Sequence, residues 1–169
     1  LWASDRSARR LAKLKDRAAR AQVFNYRAAA WEGGAKLPTK TKFDGILLDA
    51  PCSGLGALRR RPESRWRKSE EDLDVLTMLQ IELLTAAVRA TKPGGFIAYV
   101  TCSPDPRETV EVVQTVLDEQ PSVTVVKTVD VLARITPNAH AVGRGTAVQL
   151  WPHRHGTDAM FIQLLQRTR

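Results

Sequence analysis

The chain has 169 residues, 43% hydrophobic and 26% charged, the makeup of one globular domain large enough to bury a core. Its 26 Lys and Arg against 18 Asp and Glu give a net charge of +8, which points to a polyanionic partner. No apolar stretch reaches the roughly 20 residues that span a bilayer, no signal-peptide pattern is present, and two widely separated cysteines are no secreted disulfide framework, so a reducing cytoplasm is expected.

Leu1 to Ser4 reads as the end of a strand. Asp5 to Arg20 is predicted as one helix, with Ala8, Leu11, Ala12, Leu14, Ala18 and Ala19 at near-helical spacing. A short strand is expected within Val23 to Trp31, before Gly33-Gly34 and Pro38 break the chain. Phe43 to Asp49 carries the clearest strand signal: Ile46-Leu47-Leu48 is apolar on both faces, as in a covered parallel sheet. A Gly- and Arg-rich loop follows, from Ala50 to about Lys68. Ser69 reads as an N-cap, with Glu70, Glu71 and Asp72 in the first turn of a long helix. Leu73, Leu76, Gln80, Leu83 and Ala87 mark its inner stripe, and Lys92-Pro93-Gly94-Gly95 stops it. Phe96 to Thr101 is the next strand. Pro104 to Glu119 is a helix with Val112, Val113, Val116 and Leu117 inward, and Val123 to Val126 is a strand. Asp130 to Thr146 shows no regular pattern. Ala147 to Trp151 and Met160 to Leu165 read as antiparallel strands joined by a His-rich loop. This order predicts a single α/β sandwich over residues 1–169, its mainly parallel sheet closed by an antiparallel hairpin.

Both cysteines fall where a predicted strand ends, Cys52 in Asp49-Ala50-Pro51-Cys52-Ser53-Gly54 and Cys102 in Thr101-Cys102-Ser103. Ligands of open α/β sheets sit beyond the carboxyl ends of the strands, so two thiols and the Asp49 carboxylate there suggest covalent chemistry on an electrophile. The helix start expected after Pro104 favours the charged, nucleophilic form of Cys102. A lone strand cysteine is more often a packed apolar residue, and Cys52 alone could equally be a packed turn residue. Pro51 stiffens the turn, while Gly54 and Gly56 let backbone approach a ligand closely. Asp5, between a strand end and a helix, fits either a ribose contact or an N-cap. Arg59, Arg60, Arg61, Arg65, Arg67 and Lys68 crowd the loop after Cys52 and suit a grip on a phosphate backbone. His153 and His155 read as hydrogen-bonding loop residues, since a metal needs three or four ligands.

Together these segments resemble the Sun/Fmu family of S-adenosylmethionine-dependent RNA cytosine-5 methyltransferases. The resemblance rests on Phe43 through Gly56 with its Pro51-Cys52 pair, on Arg60-Arg61-Pro62-Glu63 and Arg65-Trp66, on Lys92-Pro93-Gly94-Gly95 and Tyr99 through Ser103, and on Leu150 through Phe161. It is closest to the bacterial enzymes that modify small-subunit ribosomal RNA. It implies a Rossmann-like class I methyltransferase fold, S-adenosyl-L-methionine as cofactor, ribosomal RNA as partner, no metal, no membrane, and a cytoplasmic protein that is a monomer when intact. It further implies that Cys102 adds to carbon 6 of cytosine, that Cys52 assists breakdown of the adduct, and that Asp49 sits near the ring nitrogen, donating a proton if burial raises its pKa. The cofactor would be held by Asp5, Asp49, Pro51 and Glu32, the RNA by Arg59, Arg60, Arg61, Arg65 and Lys68.

Two departures accompany the resemblance. The family's first strand and Gly-rich cofactor loop have no counterpart before Asp5, so a piece of a larger protein is expected, with that strand and loop missing. Glu32-Gly33-Gly34-Ala35-Lys36 stands where a Gly-Asp-Ala-Arg-like segment contacts adenine. The competing readings are a non-catalytic RNA-binding module that retains the fold, and a cysteine hydrolase, which needs His140, His153 or His155 beside Cys102.

Overall fold

The computed structural model describes residues 1–34, 36–66, 69–136 and 142–169. The N-terminal segment forms β1 (Trp2–Asp5), α1 (Ala8–Ala12), α2 (Leu14–Arg20) and β2 (Arg27–Ala30). The expected single helix is two, because the chain turns at Lys13, which closes α1 and opens α2. Ser7 caps α1 by accepting from the Arg10 N–H at 3.3 Å. β1 and β2 pair in parallel and form a sheet of their own.

The larger sheet is built from β3 (Phe43–Asp49), β4 (Thr91–Thr101), β5 (Val123–Val126), β6 (Gly143–Arg144), β7 (Ala147–Gln149) and β8 (Phe161–Arg167). β3 and β4 run parallel; β8 runs against β4 on one side and against β5 and β7 on the other. β3, β4, β5 and β7 therefore share one direction, and β8 is the reversed strand among them. Helices α3 (Glu70–Ala90), α4 (Val110–Glu119), α5 (Thr128–Ala133) and α6 (Pro152–His155) fill the connections. Two 3-10 turns, Leu55–Ala57 and Pro62–Trp66, break up the arginine-rich loop.

Local chemistry explains the boundaries. Ser69 and Asp72 form a reciprocal capping box at the start of α3, as the acidic first turn predicts. At its other end Arg167 donates to the Thr91 and Val88 carbonyls at 2.6 and 3.2 Å, satisfying groups the last helical turn leaves open. α3 ends at Ala90, just before the Lys-Pro-Gly-Gly run expected to stop it, and that run lies within β4 at a shift of its register with β3. Gly95 makes this possible, since a Cβ there would stand 2.8 Å from the Asp44 carbonyl.

The core joins Leu84, Val88, Ile97, Tyr99, Val112, Val116, Phe161 and Leu165, where α3 and α4 cover the β4–β8 pair. Ile46 and Leu48 of β3 pack on this core, but Leu47 between them is 74% exposed. That corrects the expectation of a strand covered on both faces: β3 pairs only with β4 among the described residues, and no helix lies over the side that carries Leu47. No helix among the described residues is long and apolar enough to cross a membrane.

Candidate active site

The parallel register of β3 and β4 sets Leu48 beside Tyr99 and Asp49 beside Val100, and the Ala50 N–H donates to the Val100 carbonyl at 2.9 Å. Three residues past Asp49 and two past Val100, the chain places Cys52 and Cys102 at the same edge. Their sulfurs are 3.3 Å apart.

A cleft of about 640 Å³ opens there. Cys52, Cys102, Asp49, Pro51, Asp5 and Glu32 all line it, as do Arg60 and Arg61. Every proposed catalytic and cofactor residue thus meets in one depression, at the carboxyl ends of β1, β3 and β4, with Glu32 shortly after β2. Asp5 is half-buried and accepts the Ser7 N–H at 2.8 Å, with Arg10 3.6 Å away. Ser7, not Asp5, is the N-cap of α1. Asp49 is exposed, so the burial expected to assist proton donation is not there.

Two thiols this close do not both ionise near neutral pH. The hydrogen bond from Cys52 draws the Cys102 thiol down to about 7, against burial and the Asp49 carboxylate, which push it up. The same hydrogen bond, followed by burial, pushes Cys52 well above the ordinary thiol range. The shifts favour Cys102 as the sulfur that carries charge and Cys52 as its neutral partner. Alkylation of Cys102 by iodoacetamide is expected to rise with pH and reach half its maximum at about 7, because only the thiolate reacts. Peptide mapping over a pH series checks this; a midpoint near the ordinary thiol value of ~8.5 would contradict the pairing.

Gly56 fastens the site. Its N–H donates to the Cys102 carbonyl and its own carbonyl accepts the Ala159 N–H, both at 2.9 Å. The close approach anticipated for a ligand is made instead by the protein's own backbone, since a Cβ at Gly56 would stand 2.0 Å from the Ala159 carbonyl oxygen. Gly54 has φ +76° and open space around it.

The arginine cluster is divided. Arg60 makes a bidentate pair with Asp158, which holds the Asp158 carboxyl below its usual range. Arg59 donates to the Gly156 carbonyl at 3.3 Å. Arg61 and Arg65 have no ion-pair partner among the described residues. Lys68, Arg67 and His140 lie outside the described residues. His155 accepts the Trp151 N–H through Nδ1 at 2.8 Å, and neither it nor His153 lines the cleft with Cys102.

Sequence reasoning missed Glu108. It sits in the turn after Cys102, is fully buried, and accepts from the Ser53 N–H and hydroxyl at 2.7 and 2.5 Å. Gln80, read as one position of a core stripe, donates to Glu108 and to the Pro51 carbonyl. A glutamine inside an apolar stripe was the available signal, because a buried amide requires partners.

A family model described as 16S rRNA methyltransferase RsmB/F matches residues 1–166. Rv1407 of Mycobacterium tuberculosis, a putative methyltransferase, is 52% identical over 125 residues, covering 74% of this chain and 26% of that protein. Ribosomal RNA small subunit methyltransferase B of Vibrio vulnificus is 41% identical over 103 residues, covering 59% of this chain and 24% of its own. The chain spans about a quarter of the length of these curated relatives. The crystal structure of NSun6 from Pyrococcus horikoshii with SFG superposes with a TM-score of 0.79 at 24% identity, over 99% of this chain and 41% of that one. The neighbours identify the fold as a Rossmann-like methyltransferase sandwich.

Proposed function

Since the chain belongs to the 16S rRNA methyltransferase RsmB/F family, we propose that it forms part of an enzyme transferring a methyl group from S-adenosylmethionine to carbon 5 of a cytosine in ribosomal RNA. The observation that carries this reading is the cysteine pair, 3.3 Å apart and lining one cleft.

The donor set suits the cofactor. Asp5 and Glu32 bring carboxylates, acceptors for ribose hydroxyls and an adenine amine, into the cleft that also holds Asp49 and Pro51. The relative NSun6 was solved with SFG, an S-adenosylmethionine-type ligand. When bound, S-adenosylmethionine supplies the methyl group.

The chain's own residues prepare the base. An aromatic pyrimidine does not accept a methyl group at carbon 5 until its conjugation is broken. The Cys102 thiolate adds to carbon 6, forming a carbon–sulfur bond and moving an electron pair toward carbon 5. After methylation a water molecule takes the carbon 5 proton, the electrons of that bond re-form the carbon 5–carbon 6 double bond, and the carbon 6–sulfur bond breaks with its electron pair left on Cys102. Cys52, a neutral thiol, assists by donating a hydrogen bond to the departing sulfur. The target base must leave its stack to enter the cleft, and Arg61, which lines it, and Arg65, both without an ion-pair partner among the described residues, would meet backbone phosphates.

Cys52→Ala is the test. The variant is expected to add Cys102 to the base and then stall, so that ribosomal RNA runs attached to the protein on a denaturing gel. The wild-type protein, given radiolabelled S-adenosylmethionine, places label in 5-methylcytosine. Label elsewhere, or RNA binding with no label at all, refutes the proposal; the second result would favour the RNA-binding module.

A further inference from the structure

Glu108 is the only fully buried carboxylate among the described residues, and no cation pairs with it there. A buried carboxylate is costly unless its oxygens are well satisfied. Those of Glu108 are satisfied by the loop that carries Cys52. One oxygen accepts the Ser53 N–H at 2.7 Å and Gln80 Nε2 at 3.1 Å; the other accepts the Ser53 hydroxyl at 2.5 Å. Gln80 Nε2 also donates to the Pro51 carbonyl at 2.8 Å. The main chain is thus gripped on both sides of Cys52, at Pro51 and at Ser53. The Tyr99 hydroxyl donates to the Glu108 carbonyl at 2.8 Å and fixes the turn that presents the carboxylate. That turn is the continuation of the Cys102 strand.

We propose that Glu108 is a positioning residue that locks the Cys52 loop to the Cys102 turn, so that the Cys52 S–H is aimed at the Cys102 sulfur. The inference rests on the reading of Cys102 as the attacking group. It gives the buried carboxylate a task that an apolar side chain of similar size could not perform.

Charge and geometry act in opposite directions here, which makes the claim separable. Besides the sulfurs themselves, the charged groups facing Cys102 are Asp49 at the end of β3, Glu108 and Arg60. The Glu108 charge disfavours the Cys102 thiolate, whereas its hold on Ser53 keeps the stabilising donor in place. Glu108→Gln removes the charge but retains an acceptor for the Ser53 N–H, and its amide can donate to the Ser53 oxygen. Glu108→Ala removes both.

The experiment is the pH profile of Cys102 alkylation by iodoacetamide in the full chain, with folding followed by circular dichroism. Glu108→Ala is expected to raise the midpoint by about one unit or more toward the ordinary thiol value, slowing alkylation at pH 7 about fivefold or more. Glu108→Gln is expected to leave the midpoint in place or lower it. A folded Glu108→Ala variant with an unmoved midpoint overturns the proposal, as does a Glu108→Gln variant that rises as far as alanine. Should Glu108→Ala fail to fold, Ser53→Ala and Gln80→Leu each release one side of the grip. Both are expected to shift the midpoint upward by a smaller amount, and no shift in either overturns the proposal. Methyl transfer is not part of this readout, so failure here leaves the role of Cys102 standing. Conversely, full turnover by a Cys102→Ala variant removes that role whatever the titration shows.

Discussion

Gly56→Ala is expected to destabilise the fold by about 3 kcal/mol or more, at the top of the usual range for overpacking. Most overpacked sites relax by moving a side chain. Here the new methyl group would meet the Ala159 carbonyl oxygen at 2.0 Å and the Cys102 carbonyl oxygen at 2.8 Å, and both are main chain. Relief therefore requires the Cys52 loop to separate from the Cys102 strand end and from the segment before β8, breaking the two 2.9 Å hydrogen bonds Gly56 makes there. The melting temperature should fall by roughly 6–12 °C, and Cys102 alkylation should lose its midpoint near 7. Gly54→Ala is the contrast: nothing crowds its Cβ position, and only the positive φ is penalised, by about 1–2 kcal/mol. Equal melting temperatures for the two variants would refute the close approach at Gly56.

Cys102→Ala is expected to abolish methyl transfer, lowering turnover by about 10⁴-fold or more, as removal of a covalent nucleophile does. Stability should change little, because Cys102 is half-buried at the cleft and alanine fits the same backbone. Cofactor affinity should persist, since Asp5 and Glu32 stand on other segments. The measurement is incorporation of labelled methyl groups into RNA, with the melting temperature as control. Cys102→Ser should be nearly as inactive, because a hydroxyl does not ionise near neutral pH. Turnover within tenfold of wild type in Cys102→Ala would end the covalent account. Together with Cys52→Ala, which is expected to attack more slowly and to lose release, so that the adduct accumulates, this variant separates the two sulfurs' roles.

Much of the fold is legible in local patterns. β3 and β5 occur at the residues their apolar runs mark, and α3 starts at the Ser69 cap. These elements depend on strand runs and capping, which are properties of a few neighbouring residues. Where long-range packing overrides local preference, the reading departs from the structure. Lys92–Gly95 carries turn residues and falls at a register shift, where β3 pairs with Thr91 before it and Phe96 after it and Gly94 takes φ +78°, so long-range pairing resumes only past the turn residues. Glu108 falls inside the predicted Pro104–Glu119 helix with no signal of its own, since nothing near it in the chain reveals that Ser53 and Gln80 come to meet it.

The sequence by itself determined that each thiol follows a strand, with Asp49 closing the first, because strand runs and the turns after them are local. It also supplied the basic loop, though not its disposition: Asp158 pairs with Arg60, while Arg61 and Arg65 have no ion-pair partner among the described residues. Only the tertiary structure decided that the two sulfurs lie 3.3 Å apart, that Gly56 is bonded to the Cys102 carbonyl and to Ala159, and that Glu108 accepts from Ser53. Each of those facts joins residues about fifty positions apart or more, and such contacts follow from the register of β3 on β4 and from how α3 and β8 pack around them.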